Sequence, residues 1–170
     1  MPHKTDREAQ GSRAKRGIAL EQRVRELLEK QIEKAEDNGI IGLVLKSQDA
    51  TLPGKMDFVI WHGACPLMAI AVKTSLRERG AMACWYGLLW KGRYPNCVSV
   101  LIFNQEYEGE GESRTRERAT KQQAASWFDP GQIYSLDHVV PFAVLNEQNR
   151  FIQVVRDMLE SLRNPQLKLA

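Results

Sequence analysis

The chain has 170 residues, of which 43% are hydrophobic and 26% charged; these values are typical of one globular domain and exclude a largely disordered chain. No apolar run approaches the ~18 residues that cross a bilayer, and the charged N-terminus lacks the apolar block of a secretory signal. We therefore expect a soluble, cytoplasmic protein that binds no membrane. The net charge of +3 permits a nucleic-acid partner without requiring one.

The start of the chain divides into two regions by composition. Residues 1–17 are polar and basic, and we expect a flexible arm there, ahead of a single domain at 18–170. Apolar residues then recur at helical spacing from Leu20 to Ile32. The Asn38-Gly39 pair that follows is a typical helix end. The pattern therefore predicts an amphipathic first helix.

The rest of the chain alternates between short β-branched runs and helical patterns. We predict strands at 40–46, 56–62, 67–76, 97–103 and 133–140, the last at a sheet edge. Helices are predicted at 77–91, 114–127 and 151–162. This order predicts an α/β fold, in which a mixed β-sheet is flanked by α-helices.

Cysteines and tryptophans are assigned mainly to the core. The cysteines are odd in number and lack C-x-x-C spacing, which indicates neither a disulfide framework nor a zinc site. Tryptophans in apolar segments pack more often than they stack on bases. The residues concerned are Cys65, Cys84, Cys97, Trp61, Trp85, Trp90 and Trp127.

An acidic and a basic residue interrupt two neighbouring apolar strands. Asp57 lies at the start of the strand 56–62, and Lys73 follows 16 positions later, near the end of the strand 67–76. If the two strands pair as a hairpin, both side chains reach one edge of the sheet. Such a pair could serve a divalent cation and a phosphate, or it could be a structural ion pair. The spacing leaves both interpretations open.

The segment Val72 to Arg79, with sequence V-K-T-S-L-R-E-R, resembles a segment of some type II restriction endonucleases in the PD-(D/E)XK nuclease superfamily. In that superfamily, an aspartate on the second strand and an acidic-x-Lys tripeptide on the third build a magnesium site for phosphodiester hydrolysis. The resemblance covers a small part of the chain. It implies a restriction-endonuclease-like fold and a magnesium-dependent endonuclease that acts on double-stranded DNA as a homodimer.

The resemblance also implies roles for individual residues. Asp57 and the backbone carbonyl of Val72 would bind Mg²⁺, and Lys73 would orient or help deprotonate the attacking water. Two positions depart from the superfamily pattern. Met56 replaces a proline that has no chemical role, and Ala71 replaces the acidic residue of the tripeptide.

A second carboxylate is therefore needed at the site. Glu21 is the leading candidate as metal ligand and catalytic residue, because its helix is similar to one that carries a glutamate into the site in many of these nucleases. Glu78 is the second candidate. Each also has a structural explanation: an i, i+4 pair with Arg25 for Glu21, and a favourable place at a helix start for Glu78.

DNA contacts are expected from two basic segments. Arg77 and Arg79 could bind backbone phosphates, or they could pair with Glu78 or Glu106 as a solvated face. Thr74 and Ser75 could donate hydrogen bonds to phosphate or simply end the strand. The helix 114–127 could contact bases or phosphates, or it could be a solvated helix whose charges are compensated by acidic neighbours. Its candidate residues are Arg114, Arg118 and Lys121.

Two alternatives to a nuclease stay open at this point. Alanine at the acidic position is what a catalytically inactive, DNA-binding relative of the fold would have. A protein outside the superfamily could carry Asp57 and Lys73 as a purely structural pair.

Overall fold

The computed structural model describes residues 6–47, 55–73, 79–103, 136–141 and 145–163. Three helices and five strands lie within these ranges, and none of the helices is long and apolar enough to cross a membrane. In chain order they are α1 (Asp6–Asp37), β1 (Leu43–Ser47), β2 (Phe58–His62), β3 (Cys65–Lys73), α2 (Arg79–Arg93), β4 (Val98–Phe103), β5 (His138–Pro141) and α3 (Leu145–Ser161).

The five strands form one mixed sheet in the order β1-β2-β3-β4-β5. β1 pairs with β2, and β2 with β3, in antiparallel fashion, whereas β3 is parallel to β4 and β4 is parallel to β5. A parallel pair needs a crossover connection, which α2 supplies between β3 and β4. The prediction of an α/β fold with a mixed sheet flanked by helices is confirmed, and β5 is the outermost of the strands that the structure describes on its side of the sheet.

Two apolar clusters lie on opposite faces of this sheet. The first packs α1 and α3 against the sheet through residues such as Val24 and Val155. The second packs α2 against the other face through Ala83 and Trp90. Because helices cover both faces, the central strand β3 is buried along most of its length.

α1 begins at Asp6, well before residue 18, where the helix was expected to start. Residues 6–17 are thus part of this helix, which begins earlier than the sequence predicts. Residues 1–5 lie outside the described part of the chain. The prediction relied on apolar periodicity, which this segment lacks. Its Arg, Lys, Glu, Gln and Ala residues favour a helix through backbone propensity alone.

The end of α1 is where the sequence predicts it. Gly39 adopts a φ of 88°, its N–H donates to the carbonyl of Glu36 at 2.8 Å, and the N–H of Ile40 donates to the carbonyl of Ala35 at 2.9 Å. This pair of bonds is the Schellman arrangement, which satisfies two of the last carbonyls of a helix and favours glycine at the left-handed position.

The assignment of tryptophans and cysteines to the core is confirmed only in part. Trp61 and Trp90 are buried, but Trp85 is 58% exposed. Cys97 is buried, whereas Cys65, the first residue of β3, is exposed. Helical periodicity shows which residues share a face, but it does not show which face meets the sheet when both are apolar.

Some predicted elements lie outside the described residues. These are the helix 114–127 with Trp127, the first part of the strand 133–140, and residues 74–76, which were assigned to the end of the third strand.

Candidate functional site

The candidate site lies where β2 begins and β3 ends. A two-residue turn joins the strands, with Gly63 at its first position, where φ is 59°; glycine at this position is typical of a type II′ hairpin. The antiparallel register places Phe58 opposite Ile70. Asp57, directly before β2, therefore lies beside the last residues of β3. The two strands thus pair as a hairpin, which is the condition under which both side chains reach one edge of the sheet.

Hydrogen bonds attach Asp57 to β3. Its backbone N–H donates to the carbonyl of Ile70 at 2.8 Å. Its Oδ2 accepts from the backbone N–H of Val72 at 2.6 Å and from the ammonium of Lys73 at 2.7 Å. The side chains of Asp57 and Lys73 are only 8% and 13% exposed, so their interaction is shielded from water and strengthened by the low local dielectric. We expected these two charges to lie at one edge of the sheet if the strands pair as a hairpin, and the structure places them in contact.

The position of Asp57 has a simple local cause. β2 begins only at Phe58, so no strand residue remains to pair with the backbone N–H of Val72. The carboxylate of Asp57 takes that place, and it satisfies a buried donor that would otherwise cost free energy. The aspartate thus has a structural use that is independent of any catalytic one.

The backbone of Val72 is oriented toward Asp57. The N–H and C=O of one strand residue point toward the same neighbouring strand. Since the N–H of Val72 points to Asp57, its carbonyl is directed to the same side of β3. A carboxylate and a backbone carbonyl are ligands that suit a hard divalent cation, so these two groups fit part of a magnesium site.

Ala71 lies on the same face of β3 as Lys73, because strand residues two apart point the same way. Its side chain is fully buried and belongs to the apolar cluster that contains Ala83 and Trp90 of α2. This position therefore contributes packing to the α2 side of the sheet, and no metal ligand.

Glu21 lies on the exposed side of α1. One turn later, Arg25 lies over the ring of Phe58 at 5.4 Å from its centroid and donates a hydrogen bond to Ser47. These contacts place this part of α1 near the start of β2, the strand that Asp57 precedes. Arg25 also pairs with Glu29 at 3.7 Å.

The described acidic, histidine and cysteine side chains are dispersed over the molecule. Among the residues that the structure describes, no three side chains of His, Cys, Asp or Glu come together as a metal site. The oxygen donors for a cation at the end of β3 are thus the side chain of Asp57 and the carbonyl of Val72. Glu21 lies on α1, which packs against the face of the sheet opposite to the one that carries Ala71. Of the remaining candidates, Arg79 begins α2. The others lie outside the described part of the chain: Thr74, Ser75, Arg77, Glu78, Arg114, Arg118 and Lys121.

A second aspartate repeats the arrangement of Asp57, and the sequence analysis missed it. Asp137 directly precedes β5, and its Oδ2 accepts the backbone N–H of Ser99 in β4 at 2.6 Å. The ammonium of Lys91 in α2 lies 2.7 Å from the same oxygen. The backbone N–H of Asp137 donates to the carbonyl of Ser99 at 2.8 Å. In the sequence, Asp137 is an acidic residue before a short apolar run, which could have indicated the start of a strand. The predicted strand 133–140 included position 137 in its interior, whereas β5 begins at His138.

The two aspartates lie at different ends of the sheet. Val72, which Asp57 contacts, is paired with Ile102 near the end of β4, whereas Ser99 is near its beginning. In both places, the aspartate directly before a strand accepts a hydrogen bond from a backbone N–H of the neighbouring strand and pairs with a lysine ammonium. The contact between Asp57 and Lys73 does not by itself distinguish a catalytic pair from a structural one.

Two ionisable groups close to Asp137 have shifted pKa values. Burial raises the pKa of the Cys97 thiol to about 12, although the nearby Lys91 ammonium opposes the shift. Burial also lowers the pKa of His138, against the opposing effect of the Asp137 carboxylate. Both groups favour their neutral forms, so Cys97 is not a reactive thiolate and His138 is not readily charged.

Comparison with family models, curated proteins and solved structures gives no match to this chain.

Proposed function

We propose that this protein is a magnesium-dependent endonuclease that hydrolyses DNA phosphodiester bonds, with the biological role of a type II restriction endonuclease. The observation that carries the proposal is the meeting of Asp57 and Lys73 at the end of β3, with the backbone of Val72 beside them. The V-K-T-S-L-R-E-R segment begins at the same place, so the resemblance and the geometry concern the same few residues.

Three groups of this chain would hold the cation. They are the carboxylate of Asp57, the backbone carbonyl of Val72, and the carboxylate of Glu21 or Glu78 in place of the acidic residue missing at position 71. Oxygen ligands of this kind are what Mg²⁺ prefers, and it keeps several waters as further ligands. When bound, Mg²⁺ supplies polarisation of the scissile phosphate and lowers the pKa of a water ligand.

The ammonium of Lys73 contributes positive charge and directed donors. It has three N–H donors, and Asp57 Oδ2 occupies one of them. Another can donate to a phosphate oxygen or to the attacking water, which it would hold in line for reaction. Positive charge fixed in a poorly solvated site also stabilises the negative charge that develops during hydrolysis.

Two specific observations favour the alternatives. The buried apolar environment of Ala71 is what a catalytically inactive, DNA-binding relative would have. The matching arrangement of Asp137, Ser99 and Lys91 supports a structural role for Asp57 and Lys73. The nuclease, the inactive DNA-binding relative and the structural pair predict different behaviour toward DNA, so one set of assays distinguishes the three hypotheses.

The test is cleavage of plasmid DNA with Mg²⁺ and with EDTA. Asp57→Ala and Lys73→Ala should each abolish metal-dependent cleavage, whereas Asp137→Ala should retain it. Asp137 is a matched control, because it makes the same kind of backbone and lysine contacts at a different end of the sheet. Loss of cleavage in Asp137→Ala as well would indicate a general effect on folding.

Binding to a labelled DNA duplex resolves the remaining outcomes. Cleavage that depends on Asp57 and Lys73 supports the nuclease. Binding without cleavage supports the inactive relative, and absence of both activities supports the structural pair. For the second carboxylate, Glu21→Ala is compared with Glu78→Ala. If only Glu78→Ala loses cleavage, the assignment of Glu21 is wrong.

A further inference from the structure

α2 has an unusual composition for a helix that covers one face of a sheet. Between Arg79 and Lys91, none of its residues carries a charge. Its inner side, with Ala83 and Trp90, is fully buried against the sheet. A helix that is apolar all round is normally packed on every side. The outer side of α2 carries four large apolar side chains with exposures of 37% to 58%, which we call the α2 stripe: Met82, Trp85, Leu88 and Leu89.

The order of the strands determines which face of the sheet the next connection crosses. β3, β4 and β5 are neighbours in chain order, and they are parallel. Crossover connections between parallel strands are right-handed in nearly all proteins. Two successive right-handed crossovers that advance in the same direction across a sheet lie on the same face. Since α2 connects β3 to β4, residues 104–135, which connect β4 to β5, belong on the α2 face.

The chain that enters β5 supports this placement. Leu136, which directly follows the connection, is 4% exposed and belongs to the apolar cluster of the α2 face, together with Trp90. The next residue, Asp137, pairs with Lys91 near the end of α2 at 2.7 Å. On the opposite face, α3 already packs against β5. The connection therefore reaches β5 from the α2 side.

We propose that residues 124–135 of this chain pack on the α2 stripe and complete the α2 face of the sheet. The inference concerns how the chain covers its own apolar surface, so it goes beyond the proposed function and holds whether or not the protein cleaves DNA. These residues carry every large apolar or aromatic side chain of the connection except Tyr107: Trp127, Phe128, Ile133 and Tyr134.

The direction of the connection brings these side chains beside the stripe. β4 ends opposite Lys73, so the connection leaves the sheet at that edge and returns to the edge where β5 begins. α2 joins the same two edges, and its Lys91 contacts Asp137 at the second one. Leu88 lies one turn before Lys91 on the same side of the helix. The last residues of the connection therefore lie beside the end of α2 that carries Leu88 and Leu89.

The first part of the connection is a poorer match in composition. Residues 104–123 are rich in Glu, Arg, Gln and Thr, and Tyr107 is their only large apolar or aromatic side chain. Covering an apolar stripe with charged side chains would remove their hydration without compensation. Apolar side chains instead gain free energy in proportion to the apolar area that the two surfaces remove from water.

The experiment is hydroxyl-radical footprinting of the full chain, read by peptide mass spectrometry, with Met82 and Trp85 as reporters. Both side chains should be protected in the wild type relative to the urea-unfolded chain. In the double variant Trp127→Ser/Phe128→Ser, both should be oxidised several-fold faster than in the wild type. Cys65 is exposed, so it serves as the internal reference and should react equally in the two proteins.

Ile41→Ser is the matched control variant. Ile41 is an apolar residue with 75% exposure outside α2, so its replacement should leave Met82 and Trp85 protected. If Ile41→Ser increases their oxidation as much as the double serine variant does, the effect is a general one on folding and the proposal is wrong.

A double-mutant cycle keeps the test decisive if the double serine variant does not fold. Leu88→Ala is combined with Trp127→Ala and, separately, with Phe128→Ala, and urea unfolding gives the equilibrium constants. Side chains in contact are not additive. In at least one combination, the change in the unfolding constant should be smaller than the product of the single changes by about twofold or more. Ile41→Ala with Trp127→Ala should be additive.

Three results overturn the proposal. The first is rapid oxidation of Met82 and Trp85 in the wild type, and the second is additivity of Leu88→Ala with both Trp127→Ala and Phe128→Ala. The third is protection that survives in the double serine variant. Sedimentation velocity then identifies the occupant: a wild-type dimer assigns the stripe to a second copy, and a monomer assigns it to another part of the chain.

Discussion

Asp57 and Asp137 make the same contact in two places: each carboxylate accepts the backbone N–H of a neighbouring strand at 2.6 Å and pairs with a lysine. Asp57 is the more deeply buried of the two, with a side chain 8% exposed against 36% for Asp137. Both aspartates make the structural contacts, but only Asp57 is proposed to take part in catalysis. Comparing variants of the two therefore distinguishes a structural role from a catalytic one.

The first prediction concerns their contributions to stability. Asp57→Ala and Asp137→Ala each leave a backbone N–H without its acceptor, which costs about 1–3 kcal/mol when the donor is buried. We expect the larger loss for Asp57→Ala, because its surroundings are drier. Urea unfolding measures both values. A negligible change for Asp57→Ala would contradict the structural account, whatever happens to activity.

The second prediction separates metal binding from hydrolysis at Lys73. Lys73→Met keeps an apolar side chain of similar length but removes the ammonium from Asp57. Cleavage should fall by about a hundredfold or more, as expected for loss of a group that moves or orients protons. Binding of Mn²⁺, measured by calorimetry, should persist or improve, because the ammonium no longer repels the cation.

Asp57→Asn is the comparison variant for this measurement. It removes the anionic ligand and should abolish binding of Mn²⁺ together with cleavage. If Lys73→Met and Asp57→Asn lose metal binding equally, then Lys73 does not have the role proposed for it.

The third prediction uses the position of Ala71. Ala71→Asp restores the acidic-x-Lys tripeptide on the face of β3 that carries Lys73. Because Ala71 is fully buried, the new carboxylate should lower the free energy of unfolding by about 3 kcal/mol when no metal is present. Added Mg²⁺ should recover part of this loss, since a bound cation compensates the buried charge.

Ala71→Asn provides the control, because it has nearly the same shape without the charge. Thermal unfolding with and without Mg²⁺ should show a stabilisation by metal that is larger in Ala71→Asp than in Ala71→Asn and the wild type. Equal effects of Mg²⁺ on all three proteins would argue against a cation site at the end of β3.

The fourth prediction concerns the reactivity of the cysteines. Burial raises the pKa of Cys97 to about 12, so almost none of its thiol is ionised near neutral pH, and only the thiolate is a good nucleophile. Cys65 is exposed. Alkylation followed by peptide mass spectrometry should modify Cys65 rapidly in the folded protein. Cys97 should react only after unfolding, and rapid labelling of it would contradict its burial.

The fifth prediction is a pH dependence of stability. Burial lowers the pKa of His138 below its unfolded value of 6.5, so on acidification the unfolded chain binds a proton that the folded chain does not. Stability that is fully present above pH 6.5 is therefore lost as the pH falls below that value. Replacing the imidazole removes this contribution.

His138→Gln is the variant for this test. Urea unfolding above and below pH 6.5 should show a smaller acid-induced loss of stability for the variant than for the wild type. The charged groups that act on His138 are Asp137, Arg150, Asp157 and Lys91, and they are the same in both proteins. A parallel pH dependence of the two proteins would indicate that burial does not lower the pKa of His138 in the folded protein.

The sequence could predict features that depend on neighbouring residues. The end of α1 follows from Asn38-Gly39, because a left-handed residue after a helix favours glycine. The hairpin between β2 and β3 follows from two apolar runs around Gly63, and it brought Asp57 and Lys73 to the same place. Local signals of this kind act over a few residues, so they are visible in the sequence.

Other features required contacts between distant parts of the chain. The apolar surroundings of Trp85 in the sequence predict a place in the core, but the packing of Trp90 against the sheet leaves Trp85 pointing outward. The role of Asp137 depends on Ser99, which lies 38 positions away along the chain. No pattern within one segment could indicate either relationship.

By itself, the sequence determined the class of fold, the order of most elements and the two charged residues at the candidate site, because side-chain periodicity and turn chemistry are local properties. Only the tertiary structure decided that Asp57 Oδ2 bonds both Val72 and Lys73, and that Ala71 faces α2. Strand register and helix packing set those contacts, and both depend on burying the apolar clusters of the whole sheet at once.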